Sequence, residues 1–563
     1  MENKTIARTL RLLSQLMELH NENPFKIKSI ANAALKVDKL PFAVVGKTLE
    51  ELEKIDGLGK SISAKVHELI ETGILSDLEN IKANTPEGII EMLGIKGIGP
   101  RKIAVIWKDL EIENIGELYY ACNENRLIEA KGFGLKTQDE IRKIIEFKMA
   151  GHGKFLYAQA EHLVETLSAD LLVWLSNIED AALLQVAGGY RRRCEIIDNV
   201  DFIVGSASPE VVIREINGYS PLKFERHAEN VFIAESELGL RIYLHVFLKD
   251  DFFINLFKLT GNEAHVEAVL KLAGSGPFSD ERDVYKRAGL AYVAPELREG
   301  NDEIELAKAG KLPVLLEYQD LKGSLHNHST WSDGVHTLEQ MALYCKEELN
   351  MAYFGICDHS KSAFYAKGLY EDRVAAQHRE IDVLNEKLAP FKIFKGIESD
   401  ILNDGSLDYS DEVLRTFDFV VASVHSNLRM TEEKATARLI KAIENPFTTI
   451  LGHPTGRLLL SRKGYPIDFA KVIDACAANG VVIEINANPL RLDLDWRWHR
   501  YALEKGVLLS INPDAHRMEG FKDMRYGVFA GRKGGLTAGR CLNALSLAEI
   551  SGYFQSAKPL SSV

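Results

Sequence analysis

LHNHSTWSD, residues 325–333, is the stretch from which the rest of this 563-residue chain can be read. His326 and His328 stand two apart behind Leu325. A short strand would turn both imidazoles to one side, as a pair of metal ligands requires. Asp333 follows five residues after His328 and precedes Gly334, a turn-forming pair that presents a carboxylate near the strand end.

Working outward toward the C-terminus, the same punctuation returns in DHS (Asp358, His359), IESD (Glu398, Asp400), SVHS (His425), LGHP (His453) and NPDAH (Asp514, His516). Each follows an apolar run that reads as a buried strand: MAYFGIC, FKIFKGI, FDFVVAS, FTTIL and GVLLSI. From about residue 321 a strand followed by a helix repeats six or seven times. Such alternation predicts a parallel barrel with its ligands at the carboxyl ends of the strands. A lone histidine is usually a packed or surface residue. Six of the 16 histidines ending apolar strands beside carboxylates instead predict a metal centre.

Toward the N-terminus the character changes. Residues 187–204, AGGYRRRCEIIDNVDFIV, combine a glycine turn, three arginines and a strand. VVIREI, NVFIAE and LRIYLHVFL are further strand candidates, and residues 151–185 read as helical. Residues 261–320 add a helical piece and AGLAYVAPELREG, where Pro295 and Gly300 mark a boundary. Residues 5–80 show helical periodicity, with Ile6, Leu10, Leu13 and Met17 on one stripe.

Three glycine-paired turns punctuate this helical region: IDGLGKSISAKV with Gly57 and Gly59, LGIKGIGPRKIAVIW with Gly97 and Gly99, and a weaker copy, AKGFGLKTQDEI, with Gly132 and Gly134. The glycines permit a tight turn, and the helix that follows offers free N–H groups to one phosphate. Lys60, Arg101 and Lys102 supply cations beside them. A single copy would read as an ordinary helix joint; repeated, the turns resemble the helix-hairpin-helix motif of DNA repair proteins, which implies a grip on a nucleic-acid backbone without reading sequence.

Composition sets bounds. The net charge is −13, yet residues 1–150 hold 22 Lys/Arg against 23 Asp/Glu, so most excess acid lies with the metal ligands. Cys122, Cys194, Cys345, Cys357, Cys476 and Cys541 lack CxxC spacing and read as reduced thiols of a cytoplasmic protein. No signal-like opening and no 18-residue apolar run is present, so neither secretion nor membrane spanning is expected.

From NPFKIKSIANAA (23–34) through GLAYVAPELRE (289–299) to the last histidine motif, the chain resembles bacterial family X DNA polymerases (PolX) that carry a C-terminal PHP (polymerase and histidinol phosphatase) domain. The resemblance implies a helical DNA-binding domain (1–85), a helix-hairpin-helix fingers-like domain (86–150) and an α+β nucleotidyltransferase palm (151–260). A thumb-like domain and linker (261–315) and a distorted (β/α)7 PHP barrel (316–563) complete it. It implies a 3′–5′ exonuclease acting in DNA repair on gapped or 3′-recessed duplexes and single-stranded 3′ ends, working as a monomer.

The resembling palms read Gly-Ser-x-Arg-Arg, then Gly-Asp-x-Asp, then Val-Asp-Leu-Arg, and their three aspartates hold two Mg2+ ions. Here Gly189 stands at the serine and Asn199 at the first aspartate; Asp201 survives, and Tyr243 takes the third position. Losing two of three anionic ligands predicts that this half does not polymerise. Arg192 and Arg193 are then expected phosphate contacts, and LTG (259–261) the sugar-contacting turn, so nucleotide binding would outlast the chemistry. Lys65 falls at the position of a lyase lysine in a family relative, though a surface lysine on an amphipathic helix would look the same.

For the barrel the resemblance implies nine ligands to three divalent ions. His326, His328, Glu398 and Asp514 would hold one; Glu398, His425 and His453 the second; Asp333, His359 and His516 the third. Glu398, Asp514, Asp333 and His326 are expected nearest the chemistry. Mixed nitrogen and oxygen donors suit Mn2+, Zn2+ or Fe2+, and the resemblance favours Mn2+. Lys361 and Arg457 are candidate phosphate contacts, with Asn427, Asn486 and Arg517 as wall candidates. Three rival readings remain: a phosphatase for a small phosphomonoester such as histidinol phosphate, residual gap-filling synthesis, and a noncatalytic DNA-repair scaffold.

Overall fold

The computed structural model describes residues 1–128, 130–149 and 153–557. The chain divides into two compact units, Met1–Glu146 and Phe147–Val563. The boundary expected between residues 150 and 151 lies outside the described residues. No helix among the described residues is long and apolar enough to cross a membrane.

The first unit is built of helices. Ile6, Leu10 and Leu13 are buried on one stripe of the helix Asn3–Leu19, which packs on the helix Pro24–Asp38. All three glycine turns have one backbone. Gly57, Gly97 and Gly132 sit at φ +87°, +96° and +89°. The residue after each donates to a carbonyl three positions back: Leu58 to Ile55 at 3.0 Å, Ile98 to Ile95 at 3.4 Å, Phe133 to Ala130 at 3.1 Å. Helices Lys60–Thr72, Pro100–Lys108 and Leu135–Met149 then begin. The third copy, read as weaker, is therefore a full hairpin. Ala130 replaces the isoleucines of the other two, but positive φ at glycine is what shapes the turn.

The second unit opens with a two-stranded pairing of β1 (Phe155–Leu156) and β3 (Ile196–Ile197) around the helix Tyr157–Ser176. A five-stranded sheet follows in the order β2-β4-β7-β6-β5: β2 (Leu183–Ala187), β4 (Asn199–Ser206), β7 (Arg241–Leu248), β6 (Val231–Glu235) and β5 (Glu225–Ala228). Residues 151–185 are thus not helical throughout. VVIREI (211–216) is not a strand either; it belongs to the helix Pro209–Glu215 and a following 3-10 turn. Pro209 opens that helix, and Val212 and Ile216, four apart, are its buried pair, a helical period rather than a strand period. A separate small core around Phe257, Val269, Val284, Tyr285 and Ala307 closes this half.

The remaining strands form a parallel, nearly closed barrel in chain order: β8 (Gly323–Ser324), β9 (Tyr353–Ile356), β10 (Lys392–Asp400), β11 (Phe419–Ser423), β12 (Ile450–Leu451), β13 (Val482–Asn486) and β14 (Leu509–Asn512). A bridge between Asn327 and Ala515 joins the first and last members, with His328 N donating to Ala515 O at 2.9 Å. The two histidines therefore sit just beyond β8, not within a strand. Tyr353, Phe394, Phe419, Val421 and Val482 fill the floor with Ile550 and Phe554 of the C-terminal helix. Gly355 and Gly396 leave room for Phe419, whose ring lies 2.7 and 2.4 Å from where their Cβ atoms would be. Strand alternation carries this inward parity upward, from Phe394 to Glu398 and from Val421 toward His425.

Candidate metal centre

At the carboxyl ends of the barrel strands, all nine expected ligands converge. Eight are buried and His425 is partly so. Glu398 is the hub. Its Oε1 lies 3.1 Å from His425 Nε2, 3.1 Å from His453 Nε2 and 3.3 Å from His326 Nε2; its Oε2 lies 2.9 Å from His359 Nδ1. Asp514 Oδ1 is 3.0 Å from His328 Nε2, and Asp333 reaches His516 Nε2 at 3.4 Å and His359 Nε2 at 3.5 Å.

Ligand atoms within 4.8 Å of one another form three groups: His328, Asp333, His359 and His516; His326, His328 and Asp514; His359, Glu398 and His425. They differ in detail from the expected partition, because His359 stands between Asp333 and Glu398 and His328 between Asp514 and His516. His453 and Asp514 adopt φ +22° and +54°, conformations that non-glycine residues rarely hold and that concentrate at functional sites.

The surroundings fit a set of cations. His328 Nδ1 is buried without a hydrogen bond, and His326 Nε2 and His328 Nε2 are buried facing the carboxylates of Glu398 and Asp514, a crowded donor set that cations would satisfy. Outer carboxylates fix the rings. Glu484 Oε1 lies 2.6 Å from His326 Nδ1, and Asp400 Oδ1 lies 2.6 Å from His425 Nδ1, so each Nε2 is directed inward. Asp358 accepts from the backbone and hydroxyl of Ser329, from Ser332 and from Gln377, and thereby shapes the LHNHSTWSD loop.

Charge follows from this packing. Burial alone would raise the Glu398 carboxyl, but His425, His326 and His359 outweigh it and hold it well below its ordinary range. Burial lowers His425, yet Glu398 and Asp400 prevail and push it up to about 9. His328, buried and facing His516 and His359, is drawn down to about 3. Glu484 and Asp400 escaped the ligand set read from sequence. Their signal was strand parity: Glu484 points inward with Val482, as Asp400 does with Glu398.

The palm is organised differently. Asp201 pairs in register with Tyr243 across β4 and β7. Its carboxylate is held by His245 Nε2 at 2.9 Å and by Asn199 Nδ2 at 2.8 Å, over Gly188. Among the described residues, every group of three or more potential metal ligands lies in the barrel. Gly189 packs beside Cys194.

The expected phosphate contacts are engaged elsewhere. Arg192 binds Glu299 at 3.0 Å and the Thr260 carbonyl at 2.7 Å, within the LTG turn itself. Arg193 lies over the Phe529 ring at 4.2 Å. Lys361 pairs with Glu371 at 2.7 Å, and Arg457 binds Asp495 and two carbonyls. Asn486 does reach the centre, donating to Asp514 at 3.1 Å, whereas Asn427 is exposed.

In the first unit, Gly57, Gly59, Lys60, Gly97, Gly99, Arg101 and Gly132 are exposed and Lys102 and Gly134 half-exposed. Lys102 lies 5.4 Å from the Phe133 ring, linking the second and third hairpins. Lys65 pairs with Asp77 beside a cavity of about 810 Å³.

The helix-hairpin-helix domain family matches residues 1–75. The "DNA polymerase/3′-5′ exonuclease PolX" of Bacillus subtilis is 31% identical over 99% of this chain and 100% of that protein. Shorter matches include proteins named probable phosphatase: one of Caldanaerobacter subterraneus, 36% identical over 24% of this chain and 55% of that protein, and one of Acetivibrio thermocellus, 31% identical over 34% of this chain and 78% of that protein.

Proposed function

Since the chain belongs to the PolX family and is a PHP-type metal-dependent hydrolase, we propose that it removes nucleotides from DNA 3′ ends and that its palm no longer joins them. One contrast carries this reading: nine converging candidate ligands in the barrel, against a single aspartate held by His245 and Asn199 in the palm.

His326, His328, Asp333, His359, Glu398, His425, His453, Asp514 and His516 would hold the ions, with Mn2+ favoured. Divalent cations bound there would polarise a phosphoryl oxygen and make water a competent nucleophile near neutral pH. The protein's own part is positional. Glu484 and Asp400 orient the imidazoles of His326 and His425, and Asp358 fixes the loop that presents His328 and Asp333. The hairpins, presenting exposed turns before helix N-termini, would hold the DNA backbone. A gapped duplex incubated with dNTPs and each divalent metal in turn tests the proposal: shortening without extension is expected, and extension would overturn it.

A second reading, hydrolysis of a small phosphomonoester, draws support from the relatives named probable phosphatase. Comparing Mn2+-dependent release from a 3′-recessed duplex and from histidinol phosphate separates the two. Cleavage of the monoester alone would establish the second.

A further inference from the structure

The mouth of the barrel carries a row of rings that the candidate ligands do not account for. After β9 the chain leaves His359, runs outward and returns at Leu369, and Phe364 at the tip of this loop is 80% exposed. Tyr365 meets Phe364 edge to face, with ring centroids 6.1 Å apart. Tyr365 in turn lies 6.3 Å from the ring of His359. The rings thus lead stepwise from a candidate metal ligand to solvent.

The loop that presents them is braced. Leu369 N donates to His359 O at 2.8 Å and Gly368 N to Ala363 O at 3.0 Å. Gly368 lies so close to Ser360 that a Cβ would fall 1.9 Å from its carbonyl oxygen. Ser362 Oγ donates to Asp400 Oδ2 at 3.0 Å, while the other oxygen of that carboxylate holds His425. One side chain therefore fixes both the loop and a candidate ligand. A phenyl ring held in water by a rigid loop forgoes the burial it would gain in a core.

Building on the nuclease reading above, we propose that Phe364 and Tyr365 form a stacking platform for the base of the 3′-terminal nucleotide, seating its phosphodiester among the ligands around Glu398. Every base offers a π-face, so such a platform binds DNA ends without regard to sequence. A small monoester without a ring would make no use of it.

The test compares kcat/KM, with Mn2+, for two single-stranded oligonucleotides: one with an ordinary 3′-terminal nucleotide and one ending in a baseless tetrahydrofuran residue. The preference of the wild-type protein for the base-bearing end is expected to fall about tenfold in Phe364→Ala, the scale of one base–aromatic stack. Phe364→Leu, apolar but without a ring, should lose the preference too, and Phe364→Trp should keep it. Equal preference in all four proteins would overturn the platform and leave the nuclease reading standing. Wild-type protein that cleaves histidinol phosphate but neither oligonucleotide would overturn both, an outcome visible without any variant.

Discussion

Glu484 and His326 form a fully buried pair, Oε1 to Nδ1 at 2.6 Å, inside the barrel. The same carboxylate accepts from the backbone N–H of His453 at 2.8 Å and from Asn512 at 3.0 Å. One acid thus sets the tautomer of one candidate ligand and the position of another. Glu484→Gln should raise the Mn2+ concentration for half-maximal hydrolysis about 10–100-fold, the usual effect of losing an outer partner of a ligand. A metal titration of activity, with circular dichroism to confirm folding, checks this.

Metal removal should lower stability. Glu398, Asp333 and Asp514 are buried together, and cations that bind only the folded form stabilise it by mass action. At about 100 times the dissociation constant the effect is about 2.7 kcal/mol. Thermal melts with EDTA and with Mn2+ should differ for the wild-type protein and converge for Glu398→Gln.

In the palm, Asp201→Ala should leave DNA shortening unaffected while destabilising the fold by about 1–3 kcal/mol, because His245 and Asn199 lose their common acceptor. Urea unfolding beside an end-labelled DNA assay reads both. A change in shortening comparable to that of a barrel-ligand variant would tie the palm to hydrolysis.

His499 predicts acid sensitivity remote from the metal centre. Its ring is buried, bound to Leu494 O at 3.0 Å and packed against Gly534. Burial draws its pKa down to about 4. The unfolded chain takes up this proton first, near the ordinary histidine value, so stability present above about pH 6.5 is lost as pH falls toward 4. The loss is on the order of 3 kcal/mol, and His499→Gln should flatten that part of the stability profile measured by urea melts.

The three hairpins should share the work of DNA binding. Because Gly97 and Gly132 hold the same left-handed conformation, valine at either strains its turn by about 1–2 kcal/mol. Gly132→Val and Gly97→Val should each weaken duplex affinity severalfold in fluorescence anisotropy at fixed salt. Loss confined to Gly97→Val would show that the third turn does not touch DNA.

Much of the barrel was legible because short apolar runs ended in histidines and acids, a pattern both local and chemically distinctive. What sequence concealed was mostly non-local. VVIREI looked like a strand because four apolar residues in six fit either period. Glu484 was hidden within VVIEIN, where nothing shows which imidazole a carboxylate will face. Arg192 was expected at a phosphate from the resemblance, and nothing local to it announces its partner Glu299, 107 residues away. The copy around Gly132 read as weaker than the other two, although glycine alone sets the turn.

The clasp around the LTG turn limits what new carboxylates in the palm could do. Arg191 and Arg192 now bind Thr260, Glu281 and Glu299, and Lys533 from the barrel helix Met524–Lys533 joins them at Glu299. Cations expected to meet a phosphate serve here as internal struts. Placing aspartates at 199 and 243 would add carboxylates without freeing those arginines, so acid side chains alone are not expected to open this pocket to a triphosphate.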